Sequence, residues 1–288
     1  MDLAFWQSVQ SSRNAADFDA YLAQFPQGRF TTLARNRLTE LRGATATPPA
    51  PSANERRVAL VIGNSAYRHA GVLPNARRDA ESIAAALRAA GFQTVRVLFD
   101  LDLAGMNTAL RDFEPEADRA DWAVLYFAGH GIEVNGVNHL IPVDARLRSD
   151  RDVPDETVTL ARVLDRIENA RKLRMVILDA CRDNPFLPRM QRVATRSIGR
   201  GLAPIADMPG GTLVAFAARA GQIAQDGETG ANSPFVRALT RHMAEPGLEV
   251  NLLFRRVRDD VLASTGRRQE PFTYGSLPSD PLFFRAAR

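Results

Sequence analysis

From Arg56 onwards the sequence alternates between short valine- and isoleucine-rich runs and longer amphipathic segments, and that alternation leaves few folds open. "RVALVIG" (57–63) is an apolar run closed by glycine, and "PNARRDAESIAAALRAAG" (74–91) has a proline start, apolar residues at helical spacing and a glycine stop. The same grammar then predicts a strand in "FQTVRVL", a helix in "LAGMNTALRDF", a buried strand in "DWAVLYFAG" (121–129) and a helix in "TLARVLDRIENA". Strands follow in "LRMVILDAC" (173–181) and "GTLVAFAA" (211–218), with helices at about 233–244 and 250–264. Strands that are apolar throughout need cover on both faces, and helical crossovers between them make neighbours parallel. The expected fold is α/β, a mostly parallel sheet flanked by helices on both faces.

Residues 1–42 read differently. "LAFWQSVQ", "DFDAYLAQF" and "RFTTLARNRLTEL" predict a small unit of three short helices, and "GATATPPAPSANE" (43–55) has the composition of an exposed linker before a main domain at 56–288. No run approaches the roughly 18 apolar residues of a membrane span. The N-terminus lacks the basic start and apolar core of a signal peptide, so a cytoplasmic protein with no membrane partner is expected.

Charge is concentrated in one place. The net charge is +4, and Arg182, Arg189, Arg192, Arg196 and Arg200 stand against the single acid Asp183 in the stretch up to Gly201. That stretch has no aromatic residue for base stacking between 187 and 201, which argues against nucleic acid as a partner and for a flexible, solvated loop over 182–210.

Cys181 is the only cysteine, so a disulfide framework and a multi-thiolate metal site are excluded, and any special role is that of a reactive thiol. It stands where an apolar run gives way to Arg-Asp-Asn-Pro, a strand exit. His130 stands at the end of "LYFAG", the corresponding exit of another strand. In open parallel sheets, ligand sites form beyond the carboxyl ends of the strands. An imidazole there can promote the thiolate and later protonate a leaving amine. Gly129 and Gly131 allow close backbone approach, and the amides of Gly131 and Cys181 can serve as oxyanion donors.

"YFAGHG" and "DACRDN", with 51 residues from His130 to Cys181, together resemble the caspase and metacaspase superfamily of cysteine peptidases. "RVALVIGNSAY", "LPNARRDAESIAAAL" and "HLIPVD" look like its bacterial caspase-like branch, and the resemblance covers about residues 56–243. It implies the caspase-like fold and peptide-bond hydrolysis by a His130/Cys181 dyad. Asp179, two residues before Cys181 on the strand, faces the same side as the thiol, where the caspase motif carries glutamine. A carboxylate there disfavours an acidic substrate side chain and attracts a cationic one. Asp79 matches the aspartate of the metacaspase "NDA" motif, which implies a second acid holding a basic residue before the scissile bond. Cleavage after Arg or Lys is therefore expected, on protein or peptide substrates. Related enzymes process themselves after the catalytic cysteine, where this chain offers Arg189, Arg192, Arg196 and Arg200. The first 42 residues resemble a helical segment accompanying such domains in bacteria, a candidate surface for a protein partner. The alternative reading is a caspase-fold adaptor or signalling scaffold without physiological proteolysis.

Many metacaspases need calcium, and Asp144, Asp150, Asp152, Asp155 and Glu156 are oxygen donors of the kind it prefers. They show no EF-hand spacing, and the acid that metacaspases carry several residues past the cysteine is not evident, so calcium is not favoured. His69, His139 and His242 have no zinc-ligand spacing. No cofactor is expected.

Overall fold

The computed structural model describes residues 2–10, 12, 14–45, 55–181, 186, 190–191, 198–199, 209–219, 222, 224–225, 227 and 230–287. The chain forms two compact units, Met1–Pro49 and Ala50–Arg288.

The first unit contains α1 (Asp2–Val9), α2 (Ala15–Gln24) and α3 (Thr31–Thr45), so its last helix runs three residues beyond the expected boundary at 42. Asn14 caps α2 by accepting from the Ala16 amide. Phe18 and Tyr21 are fully buried, and Trp6 stacks on Phe30 with ring centroids 5.2 Å apart. Six aromatic side chains, Phe5, Trp6, Phe18, Tyr21, Phe25 and Phe30, thus give a very small unit its core.

The second unit runs β1 (Arg57–Gly63), α4 (Ala76–Ala89), β2 (Thr94–Phe99), α5 (Leu103–Ala117), β3 (Trp122–Val134), β4 (Val137–Leu140), α6 (Val153–Glu156), β5 (Val158–Thr159) and α7 (Leu160–Asp165). It continues with β6 (Leu173–Cys181), β7 (Ile198–Gly199), β8 (Thr212–Phe216), α8 (Pro234–Met243), α9 (Val250–Ser264) and β9 (Phe272–Ser276). The main sheet has the order β2-β1-β3-β6-β8-β9, parallel except for β9. Alternate residues of β1 sort onto its two faces: Ala59 and Val61 pack with α4, α8 and α9, and Val58, Leu60 and Ile62 with α5 and α7. Both faces are covered, as an all-apolar strand requires.

Four readings of the sequence change. β3 continues past Gly129 to Val134 and turns back into β4 through Asn135 and Gly136, whose φ values of 53° and 80° fit an Asn-Gly hairpin turn. The helix expected over 159–170 is confined to Leu160–Asp165. β9 had no counterpart in the sequence reading. Within 182–210 a solvated loop does not describe Phe186 and Met190, which are buried in the main core, or Ile198–Gly199, which pair with β3.

Candidate active site

The parallel register of β3 and β6 pairs His130 with Cys181 at the carboxyl end of the sheet. The backbone of Cys181 closes β6, and its side chain lies outside what the structure describes. The two residues expected at strand exits thus stand in register on neighbouring strands, Cys181 at the end of β6 and His130 within β3.

His130 is 5% exposed and is held from three directions. Its amide donates to the Tyr67 hydroxyl at 2.7 Å, and that hydroxyl donates to the Ile141 carbonyl at 3.1 Å. The tyrosine ring lies against the imidazole, with centroids 4.4 Å apart. Nε2 is 3.1 Å from the Gly71 carbonyl. A carbonyl only accepts, so Nε2 carries the proton and Nδ1 is the basic nitrogen of the neutral ring. A Cβ on Gly129 would come within 2.6 Å of both the Tyr67 hydroxyl and the Phe127 ring, which explains glycine before the histidine. Tyr67 and Gly71 belong to the loop between β1 and α4, and no local sequence signal marks them as partners of His130.

Gly131 faces Leu140 in the β3–β4 ladder, while the Ile141 amide donates to the His130 carbonyl at 3.0 Å. Backbone groups alternate sides along a strand, so the Gly131 amide turns to the opposite edge, along which β6 runs as far as Cys181.

The two acids converge. Asp79, in the first turn of α4, is 3% exposed, and Asp179 sits two residues before Cys181 on β6. A single residue joins them: the Ser233 amide donates to Asp79 Oδ1 at 3.0 Å, and its hydroxyl donates to Asp179 Oδ2 at 3.0 Å. Ser233 is also the N-cap of α8, accepting from the Val236 amide at 3.1 Å. The Tyr126 hydroxyl reaches the same Oδ2 at 3.1 Å. Burial first, and then the negative charge of Asp179 and Asp79, raise the Tyr126 phenol well above its ordinary range. Close packing of α4 on β1 places Asp79, since a Cβ on Gly63 would come within 2.8 Å of the Ala76 carbonyl and 2.9 Å of the Ala80 Cβ. Ser233 and Tyr126 were not singled out from sequence, although Ser-Pro opening a helical segment is a legible cap.

Most of the acids weighed as calcium donors have backbone partners. Asp144 accepts from the Leu103 amide, Asp152 from Ser149, and Glu156 from both Arg146 and Leu147. Among the described residues no three His, Cys, Asp or Glu side chains converge as a metal site would require. His139 donates or accepts at Thr157 Oγ1 across 2.8 Å, and that hydroxyl donates to the Val153 carbonyl, so the histidine Nδ1 is the donor. Burial lowers its pKa to about 4. His242 lies between Glu245 and Asp260. Arg189, Arg192, Arg196 and Arg200 lie outside the described residues.

A parallel sheet covered on both faces, with a histidine and a cysteine in register at its carboxyl edge, defines a caspase-like α/β domain. The family model for the caspase domain of the C14 peptidases matches residues 56–283, and the chain belongs to that family. Caspase-1 from Spodoptera frugiperda superposes with a TM-score of 0.59 over 82% of this chain and 94% of its own, at 16% identity, a likeness of fold. The human mucosa-associated lymphoid tissue lymphoma translocation protein 1 is 37% identical over 89 residues, and its homolog from Mus musculus 36% over the same length. Those stretches are 31% of this chain and 11% of either relative. Among the described residues no helix is long and apolar enough to cross a membrane.

Proposed function

We propose that this chain is a cysteine endopeptidase that cleaves after arginine, and secondarily lysine. The observation that carries the reading is the meeting of Asp79 and Asp179 on Ser233, two residues of strand away from Cys181. Two carboxylates tied to one serine, Asp79 buried and Asp179 partly so, match the planar, doubly donating guanidinium better than any other side chain.

The chemistry is acyl transfer. His130 Nδ1 takes the thiol proton as Cys181 Sγ bonds to the scissile carbonyl carbon, and the carbonyl oxygen becomes an oxyanion between the amides of Gly131 and Cys181. The tetrahedral species collapses, the C–N bond breaks, and His130 gives its proton to the departing amine. Water, deprotonated by His130, then cleaves the thioester and restores the thiol. The Gly71 carbonyl keeps Nδ1 the reactive nitrogen throughout by holding the proton on Nε2.

The enzyme's own Arg189, Arg192, Arg196 and Arg200 offer bonds of the preferred kind: in sequence Arg189 lies between Phe186 and Met190, Arg192 and Arg196 between Met190 and β7, and Arg200 directly after β7. Intact mass measured during incubation of active protein beside Cys181→Ala reads such processing directly. The test of the whole proposal is hydrolysis of fluorogenic peptides ending in Arg, Lys or Asp, with and without calcium. Turnover after Arg that vanishes in Cys181→Ala is the expected result. Cleavage after Asp instead overturns the acidic pocket, and silence toward every peptide favours the adaptor role.

A further inference from the structure

We propose that Tyr126 is a positioning residue for substrate selection: its hydroxyl, reaching from β3 to Asp179, keeps that carboxylate ionised and aimed at a cationic side chain. The inference rests on the reading above of a pocket for basic residues.

Tyr126 is fully buried, and it lies on the sheet face of Asp179: the register pairs Ala128 with Asp179, and Tyr126 is two residues earlier on β3. Its hydroxyl and that of Ser233 converge on the same oxygen, Oδ2, at 3.1 and 3.0 Å. Such convergence fixes the rotation of the carboxylate plane, which a guanidinium fork must match. It also addresses an electrostatic difficulty. Asp79, buried, and Asp179, half-buried, are tied to one serine, and neighbouring carboxylates shielded from water tend to share a proton. Hydroxyl donors favour the charged form and oppose that tendency. The raised phenol pKa belongs to the same geometry, since burial and the two carboxylates hold the proton on Tyr126 and keep it a donor.

The substitution Tyr126→Phe removes the hydroxyl and little else. With Arg-ended peptides, KM should rise roughly tenfold while kcat changes less than about twofold, the size expected for one hydrogen bond to a charged group. The acidic limb of kcat/KM should move to higher pH, and the Arg-over-neutral preference should fall. The rate of Cys181 alkylation by iodoacetamide should stay as in wild type, because the dyad is untouched. A merely structural role would instead lower kcat, alter alkylation and depress the thermal midpoint without moving the acidic limb. Combining Tyr126→Phe with Asp179→Asn should add nearly nothing to the single Asp179 variant, since both act through one carboxylate. Calorimetric binding of an Arg-ended peptide to Cys181→Ala, with and without Tyr126→Phe, gives a readout independent of turnover and should show the same tenfold weakening. An unchanged KM, affinity and acidic limb in Tyr126→Phe would overturn the inference while leaving the protease reading intact. A wild type that neither cleaves nor binds Arg peptides removes that reading, and the inference with it.

Discussion

At the start of β1 the buried Arg57 guanidinium donates to the Glu55 carboxylate at 2.8 Å and to the Phe283 and Phe284 carbonyls at 3.0 and 2.9 Å, and it lies 4.2 Å over the Trp122 ring. Lys172, the sole lysine, reaches the same Glu55 at 3.0 Å. At the other end of the same sheet, Asp79 and Asp179 meet across Ser233. The first cluster matches acid with base and ties the C-terminal segment to the first strand of the domain. The second brings like charges together and holds them with an amide and two hydroxyls. A charge-matched cluster is complete in itself, whereas like charges held in one place are stabilised by a ligand of opposite sign. On the function proposed above, the same sheet uses one end for cohesion and the other for recognition.

Substitutions at the two ends should accordingly separate activity from stability. The largest effect belongs to the dyad: Cys181→Ala or His130→Ala should lower kcat/KM by roughly a thousandfold or more, in line with the loss of a nucleophile or its base. Next, Asp179→Asn and Asp79→Asn should each cost roughly a hundredfold in kcat/KM on Arg peptides, with far less loss on peptides carrying a neutral residue there. Equal losses on both peptide types would dissolve the contrast drawn above. At the base, Arg57→Ala leaves Glu55 with Lys172 alone and releases the 283–284 carbonyls. Urea denaturation should show a loss of about 3 kcal/mol, the size of breaking a buried pair, with no change in the Arg-to-neutral ratio.

A smaller effect concerns pH. His139 is held neutral in the fold with its pKa lowered from 6.5 to about 4 by burial, so the unfolded chain binds a proton that the folded chain does not over that interval. Its contribution is fully present above about pH 6.5 and is lost as pH falls toward 4. Stability measured across that window should slope downward with acidity, and His139→Gln should flatten the slope. An unchanged slope would locate the titration elsewhere.

The alternation of runs made β1, α4, β2, β3, β6 and β8 legible because each is decided over a few residues by burial on two faces or on one. β9 was not, since "FTYGS" has neither an apolar run nor a clean alternation and owes its conformation to pairing with β8. The hairpin after His130 was marked by Asn135-Gly136, and reading it places the histidine inside a strand with its backbone fixed, not at the mouth of a loop. Phe186 and Met190 lie among arginines and prolines, so their burial could not be read from neighbours alone.

By itself, the sequence determined the parallel sheet with helices on both faces, the separate helical unit before it, the placing of Cys181 at the end of one strand and the apolar strand that carries His130, because these follow from short-range periodicity and turn chemistry. Tertiary structure alone decided that Gly71 settles the tautomer of His130 and that Ser233, 154 residues from Asp79, joins it to Asp179. Those contacts depend on the order of strands in the sheet and on how α8 docks. No window of sequence contains both partners, and only the packed core brings them within hydrogen-bonding distance.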